Sequence, residues 1–374
     1  MSELLYLDDN ATAPLDPEIA AAMAPWLGGF AGNPSSRHAA GRAARRAVDE
    51  ARERIARGLH CEPGEIIFTS GATEANNLAI AGAGPIFLSA AEHPSALEPA
   101  RELGRRGVEV VELPLTEEGF VADVAGLSSA SAGLAVIQLA SGETGAVQDV
   151  ATLVAANPRL RFHCDAVQAV GRIPVDFKSL GVASLTISGH KLHGPVGIGA
   201  LVARAGTRLH PMIRGGSQQE SRRAGTEPVA AIVGLGLAVE KAVAQRESVA
   251  SRLAALRDRL ESGLASSIPD ALVNGPRDPA RRLPNTLNIS FPGAPAQALT
   301  MALDLAGVCC SAGSACASGS QLPSYALQQM GLAEARVKSA VRFSFGRFTT
   351  EGMIDAAIPR VVEAVAAVRS NFAG

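Results

Sequence analysis

The stretch Ser184-Leu-Thr-Ile-Ser-Gly-His-Lys-Leu-His-Gly-Pro-Val-Gly-Ile-Gly-Ala-Leu-Val-Ala-Arg204 places one lysine between two apolar runs. Apolar residues alternate up to Ile187, polar ones take over at Ser188-Gly189-His190, and Gly194-Pro195 with Gly197 and Gly199 lets the chain turn before Ile198-Ala-Leu-Val resumes. The pattern predicts a strand, a turn carrying Lys191, and a second strand. An amine held there loses hydration, which lowers its pKa and frees it to form a Schiff base. A solvated lysine in a surface hairpin is the competing reading of this stretch alone, so its surroundings decide.

Upstream lie further strand-like runs: Glu65-Ile-Ile-Phe-Thr-Ser70, Pro85-Ile-Phe-Leu-Ser89, Val108-Glu-Val-Val-Glu-Leu113, Leu134-Ala-Val-Ile-Gln-Leu139 and Arg161-Phe-His-Cys-Asp165. They are separated by helical or turn segments, the signature of a mainly parallel sheet covered on both faces. Ligands in such folds sit at the carboxyl ends of strands. Thr73, His93, Glu143, Asp165 with Gln168, and Lys191 each follow one of these runs. Gly71-Ala-Thr73 opens a helix directly after a strand, which suits a phosphate, while both the P-loop and the dinucleotide glycine patterns are missing. An ordinary N-cap accounts for Thr73 as well. Asn33-Pro-Ser-Ser-Arg-His38 sets hydrogen-bonding groups on irregular backbone and reads either as a binding loop or as a surface turn.

Apolar residues at helical spacing mark Asp16 to Trp26, with Pro17 in the first turn, and Ala43 to Leu59. From Pro228 to about Ile268 the chain reads as almost continuously helical, with Leu253, Leu256, Leu260 and Leu264 as its apolar stripe. A smaller domain is expected to begin near Ser248, with strands at Thr286–Ser290 and Val341–Phe345, a Gly/Ser/Cys loop from Cys309 to Gly319, and a last helix from Glu351.

The 374 residues carry 34 basic and 36 acidic side chains, a balance that points away from nucleic acid and anionic membranes and toward a small-molecule substrate. With 47% hydrophobic and 19% charged residues the chain fills a large core. A run of about 18 apolar residues and a signal-peptide pattern are both missing, so the expected location is the cytoplasm. The five cysteines Cys61, Cys164, Cys309, Cys310 and Cys316 have no disulfide framework spacing and no paired C-x-x-C, so neither a disulfide scaffold nor a metal site is expected.

Taken with Lys191, these segments resemble the cysteine desulfurases, pyridoxal-phosphate enzymes of fold type I within the class V aminotransferase superfamily. The resemblance runs nearly end to end. It passes through Tyr6-Leu-Asp-Asp-Asn-Ala-Thr12, Gly32-Asn-Pro-Ser-Ser-Arg-His38, Phe68-Thr-Ser-Gly-Ala-Thr-Glu-Ala-Asn-Asn77, Glu92-His-Pro94, Asp165-Ala-Val-Gln168, Ser188-Gly-His-Lys191, Arg222-Arg-Ala-Gly-Thr226, Ser311-Ala-Gly-Ser-Ala-Cys316 and Val341-Arg-Phe-Ser344. It implies an α/β fold with a mainly parallel seven-stranded sheet in a large domain, residues 14–247. A smaller α+β domain, residues 1–13 and 248–374, would carry the catalytic cysteine loop at about 309–320.

The same resemblance implies the roles. Lys191 holds pyridoxal 5'-phosphate as a Schiff base and shuttles the substrate Cα proton; Asp165 pairs with the pyridine nitrogen; Gln168 donates to the ring hydroxyl; His93 stacks on the ring and assists proton transfers. Ala72, Thr73, Ser188 and His190 bind the phosphate, and Thr226 reaches the phosphate of the partner in a homodimer. Arg342, helped by Asn33, clamps the substrate carboxylate. Cys316 attacks the sulfur of L-cysteine, leaving a persulfide and L-alanine, and passes the sulfur to an acceptor or scaffold protein for iron–sulfur cluster assembly or tRNA thiolation. A selenocysteine lyase or another class V enzyme is the nearest alternative, and a scaffold or regulatory partner without turnover is the alternative of another kind. One departure stands out: the family usually has Asn-Asn-Glu where this chain has Ser141-Gly142-Glu143, so an asparagine near the ring hydroxyl is replaced by Gly142. Gln219 and Ser217 also differ from the usual glutamate and glycine.

Overall fold

The computed structural model describes residues 4–29, 32–122, 127, 130, 132–313 and 323–372. In chain order its strands are β1 (Leu5–Tyr6), β2 (Ile66–Thr69), β3 (Ile86–Ser89), β4 (Val110–Leu113), β5 (Leu134–Val136), β6 (Arg161–Asp165), β7 (Ser184–Ser188), β8 (Gly199–Ala203), β9 (Leu272–Asn274), β10 (Thr286–Ser290), β11 (Val308–Cys309) and β12 (Ala340–Ser344). A seven-stranded sheet runs β2-β8-β7-β6-β5-β3-β4. Strands β4, β3, β5, β6 and β7 are parallel, and β8 lies antiparallel to both β7 and β2.

Every residue of β2, β3, β7 and β8 is buried, as expected when helices cover both faces. The alternation in Ser184-Leu-Thr-Ile-Ser188 therefore does not mark a face turned to water. Its polar positions are buried too, and Ser184 is hydrogen-bonded to His163 on the neighbouring strand. Helices begin where local chemistry favours them: Asp16 caps Pro17–Gly28 through its carboxylate, and His38 caps Ala39–Leu59 through Nδ1.

The long helical stretch after Pro228 is two helices, not one. Val229–Ala244 ends at Gln245, whose φ of −99° and ψ of 0° leave the helical region, and Arg246–Ser267 follows. The first packs Ile232, Leu235 and Val239 into the core around the large sheet. The second turns Leu253, Leu256, Leu260 and Leu264 into a separate core with Leu5, Leu7, Phe291, Phe343 and Phe345. Each stripe is buried by a different sheet, and the break at Gln245 separates them. The second core covers a three-stranded antiparallel sheet, β12-β10-β9, beside the parallel pair β1-β11. Asp8 bridges to Ser344, so the N-terminal segment is sewn to the C-terminal strands before the chain enters the large sheet. Among the described residues no helix is long and apolar enough to cross a membrane.

Candidate active site

Lys191 closes a short turn, Gly189–Lys191, at the carboxyl end of β7. Its amine donates to the backbone oxygens of Asn10 at 2.5 Å and Ala11 at 2.6 Å. Asn10 is buried and fully engaged: Nδ2 donates to Thr286 Oγ1 at 2.9 Å and to the Gly142 oxygen at 3.0 Å, and Oδ1 accepts from Asn285 Nδ2 at 3.0 Å. The Gly142 oxygen also accepts from Arg342 Nη1 at 3.2 Å, while Arg342 Nη2 pairs with Asp8 at 2.8 Å. Lysine and arginine, 151 positions apart in the sequence (342 − 191), thus converge on the backbone of Asn10 and Gly142. Arg342 Nε is buried without a hydrogen-bond partner, leaving donor capacity for an acid group.

Asp165 ends β6 and is buried at 7% exposure; Oδ1 accepts from the Val167 N–H at 2.9 Å and Oδ2 from Asn76 Nδ2 at 2.8 Å. Behind it lies Glu92. Burial, and then the neighbouring Asp165 carboxylate, push the Glu92 carboxyl well above its usual range. Its Oε1 accepts from the Gln138 N–H, and its Oε2 is buried with no partner, as fits a protonated acid. Because the folded state keeps a proton that the unfolded chain releases above about pH 4.3, this group's contribution is complete below that pH and declines as pH rises toward the folded value. Glu92→Gln removes the decline. Its stability relative to the parent is expected to grow as pH rises above about 5 toward the folded value, by about 1.4 kcal/mol for each unit of that interval, seen as a melting-temperature gap that widens with pH.

Other expected site residues are placed as follows. His93 is half-buried and caps the helix Pro94–Arg105, its Nδ1 accepting from the Ser95 N–H at 3.1 Å. Ala72 and the exposed Thr73 open the helix Ala72–Ile80, whose N-cap is Gly71, so Thr73 is not the cap. Ser188 is buried at the end of β7. His190 meets Thr12 Oγ1 at 3.2 Å; burial, then the Lys191 charge, lowers its pKa to about 4, so it is neutral. A Cβ on Gly199 would lie 2.8 Å from the backbone carbon of Gly71, so glycine there lets the loop after β2 close against the end of β7 and brings Ala72 and Thr73 beside Ser188. Thr226 is exposed. Asn33 is exposed too and turns its Oδ1 back to the Ser35 N–H at 2.9 Å rather than toward Arg342.

Gly142 packs against Gln168. A Cβ at Gly142 would sit 2.8 Å from Gln168 Nε2 and 2.9 Å from its Cγ. Gln168 is held there by the buried Arg172, whose Nη1 donates to Oε1 at 2.8 Å, and its own Nε2 donates to the Asn10 oxygen at 3.2 Å. In this arrangement a side chain at position 142 meets Gln168 at its Cβ. Gly142→Asn is therefore expected to displace Gln168 and to cost about 1–3 kcal/mol from overpacking; thermal melts should show this loss, and Gln168→Ala in the same chain should relieve part of it.

Four cysteines lie in the described residues, and none is poised to react. Burial pushes Cys61 up to about 12 and raises Cys164, Cys309 and Cys310 above the ordinary thiol value. Cys316 lies outside the described residues. The chain before it is pinned at the site: Ser311 Oγ donates to Asp8 Oδ2 at 2.7 Å, and the Ser311 and Arg342 backbones exchange hydrogen bonds of 3.1 and 2.7 Å. Asn10, Asn76, Glu92 and Arg172 were missed as site residues by sequence reasoning. Asn10, Asn76 and Glu92 stand inside motifs already singled out, but nothing in their spacing shows what they touch.

A lysine at the carboxyl edge of a mainly parallel sheet, a buried aspartate at the end of the neighbouring strand β6 and a buried arginine from a second sheet make up an α/β enzyme site of the aminotransferase type. Residues 5–356 match the Aminotransferase class-V family. The chain belongs to that family, and within it to the cysteine desulfurases. It is 42% identical to a cysteine desulfurase of Trichormus azollae over 98% of this chain and 94% of that one. It is 39% identical to cysteine desulfurase NifS of Azotobacter vinelandii, again over 98% and 94%. Among solved structures, a NifS-like protein from Rickettsia africae superposes with a TM-score of 0.88 at 33% identity, covering 97% of this chain and 100% of that one.

Proposed function

We propose that this protein removes sulfur from L-cysteine, releases L-alanine and keeps the sulfur as a persulfide on Cys316, with pyridoxal 5'-phosphate bound at Lys191. The reading is carried by the convergence of the Lys191 amine and the Arg342 guanidinium on the Asn10–Gly142 backbone. The available groups fit the cofactor: an amine for its aldehyde, the Asp165 carboxylate for its ring nitrogen, Gln168 for its hydroxyl, and Ala72, Thr73, Ser188 and His190 around the glycine-permitted cradle at Gly199 for its phosphate. When bound, the cofactor supplies an electron-withdrawing ring that loosens the bonds at the substrate Cα. Lys191 and His93 move protons beside it, and Arg342 orients the substrate carboxylate. The Cys316 thiolate forms an S–S bond to the substrate sulfur as the Cβ–S bond breaks. The electron pair stays with carbon, and protonation gives alanine.

The four inert thiols support Cys316 as the sulfur carrier. The two hydrophobic cores support a division into residues 14–247 and residues 1–13 with 248–374. Exposed Thr226 would serve the phosphate site of a second copy in a homodimer, and a cytoplasmic acceptor protein would take the sulfur. The test is alanine release from L-cysteine by purified protein with pyridoxal phosphate and a thiol reductant, with L-selenocysteine in parallel. Alanine and sulfide in equal amounts support the reading. Turnover of selenocysteine alone overturns the substrate, and release from neither overturns the activity.

A further inference from the structure

Asn76 lies on the helix Ala72–Ile80, is wholly buried, and has all three of its polar contacts with other buried or half-buried groups of the site wall. Its Nδ2 donates to Asp165 Oδ2 at 2.8 Å and to Ser95 Oγ at 2.9 Å, and its Oδ1 faces His163 Nε2 at 3.0 Å. The directions follow from chemistry. A carboxylate only accepts, so the amide nitrogen must face Asp165, which leaves the amide oxygen toward His163. His163, neutral because burial lowers its pKa to about 3, must then carry its proton on Nε2 and accept at Nδ1 from Ser184 Oγ at 2.8 Å. On the other side Ser95 Oγ, which accepts from Asn76, turns its own proton to His93 Nδ1 at 2.8 Å. His93 Nδ1 thus receives both the Ser95 hydroxyl and the Ser95 N–H, and the neutral ring carries its proton on Nε2.

We propose that Asn76 is a positioning residue that orients Asp165 toward the cofactor's ring nitrogen and, through Ser95, sets His93 as an Nε2–H donor. The chain Ser184–His163–Asn76 anchors the amide from behind, so Asp165 and His93 are held by one rigid junction. This rests on the reading of Asp165 as the ring-nitrogen partner. Asn76 touches neither cofactor nor substrate; it acts through residues that do.

The test compares the affinity of the apoprotein for pyridoxal 5'-phosphate and for its 1-deaza analogue, which lacks the ring nitrogen. A merely structural defect weakens both alike. Loss of Asp165 orientation weakens only the first, so Asn76→Ala is expected to lower the affinity ratio about tenfold, the size of one charge-assisted hydrogen bond. Asp165→Asn is the control. If it leaves the ratio unchanged, the ring-nitrogen reading fails; if it lowers the ratio and Asn76→Ala does not, the role of Asn76 fails. A second measurement needs no variant: ring 15N signals of the unsubstituted apoprotein at alkaline pH should show His93 and His163 protonated at Nε2. An Nδ1–H form of either ring overturns the junction.

Discussion

Lys191→Ala is expected to lower alanine release from L-cysteine by at least about 10³-fold, because it removes both the covalent anchor and the group that moves the Cα proton. The fold should survive. The amine donates to the Asn10 and Ala11 oxygens, and the Asn10 oxygen keeps the Gln168 amide as a second donor. Two measurements separate chemistry from folding. Borohydride reduction followed by peptide mass analysis should place the cofactor on the Lys191 peptide of the parent and nowhere in the variant, while thermal melts of the two apoproteins stay within a few degrees. A variant that retained turnover would remove Lys191 from the mechanism.

Cys316→Ala is the complementary case. The variant should bind cofactor and L-cysteine as the parent does, yet release alanine at least about 100-fold more slowly and form no protein persulfide. The matching substitution Cys310→Ala should leave turnover in place, because that thiol is half-buried beside Asp8 and held protonated by burial and by nearby acidic charge. Persulfide labelling with an alkylating probe, read by mass, distinguishes the two cysteines directly. Label on Cys309 or Cys310 in place of Cys316 would reassign the sulfur carrier.

Much of this site was legible because its chemistry needs particular side chains at the ends of strands. Lys191 and His93 each follow a buried strand and Asp165 ends one, and the period-two and continuous apolar runs locate those ends without a structure. The nearly continuous helix between Pro228 and Ile268 was legible too, but the break at Gln245 that separates two cores was not, because propensity does not register one residue. The loss of asparagine at Gly142 read as a missing contact. The structure adds a packing fact: Gln168, held by Arg172, lies against Gly142 where a side chain would begin.

What the sequence determined alone was the class of fold, the lysine, the acid that ends β6 and the order of the motifs, since strand patterning and reactive side chains are local properties of the chain. Tertiary structure decided the relations among residues far apart. It brought Arg342 to Gly142 and Asn10 to Lys191, buried Glu92 behind Asp165 so that its carboxyl is pushed well above its usual range, and joined Asp165 to His93 through Asn76 and Ser95. Burial and hydrogen-bond direction arise only when separate segments pack together, so no spacing along one chain encodes them.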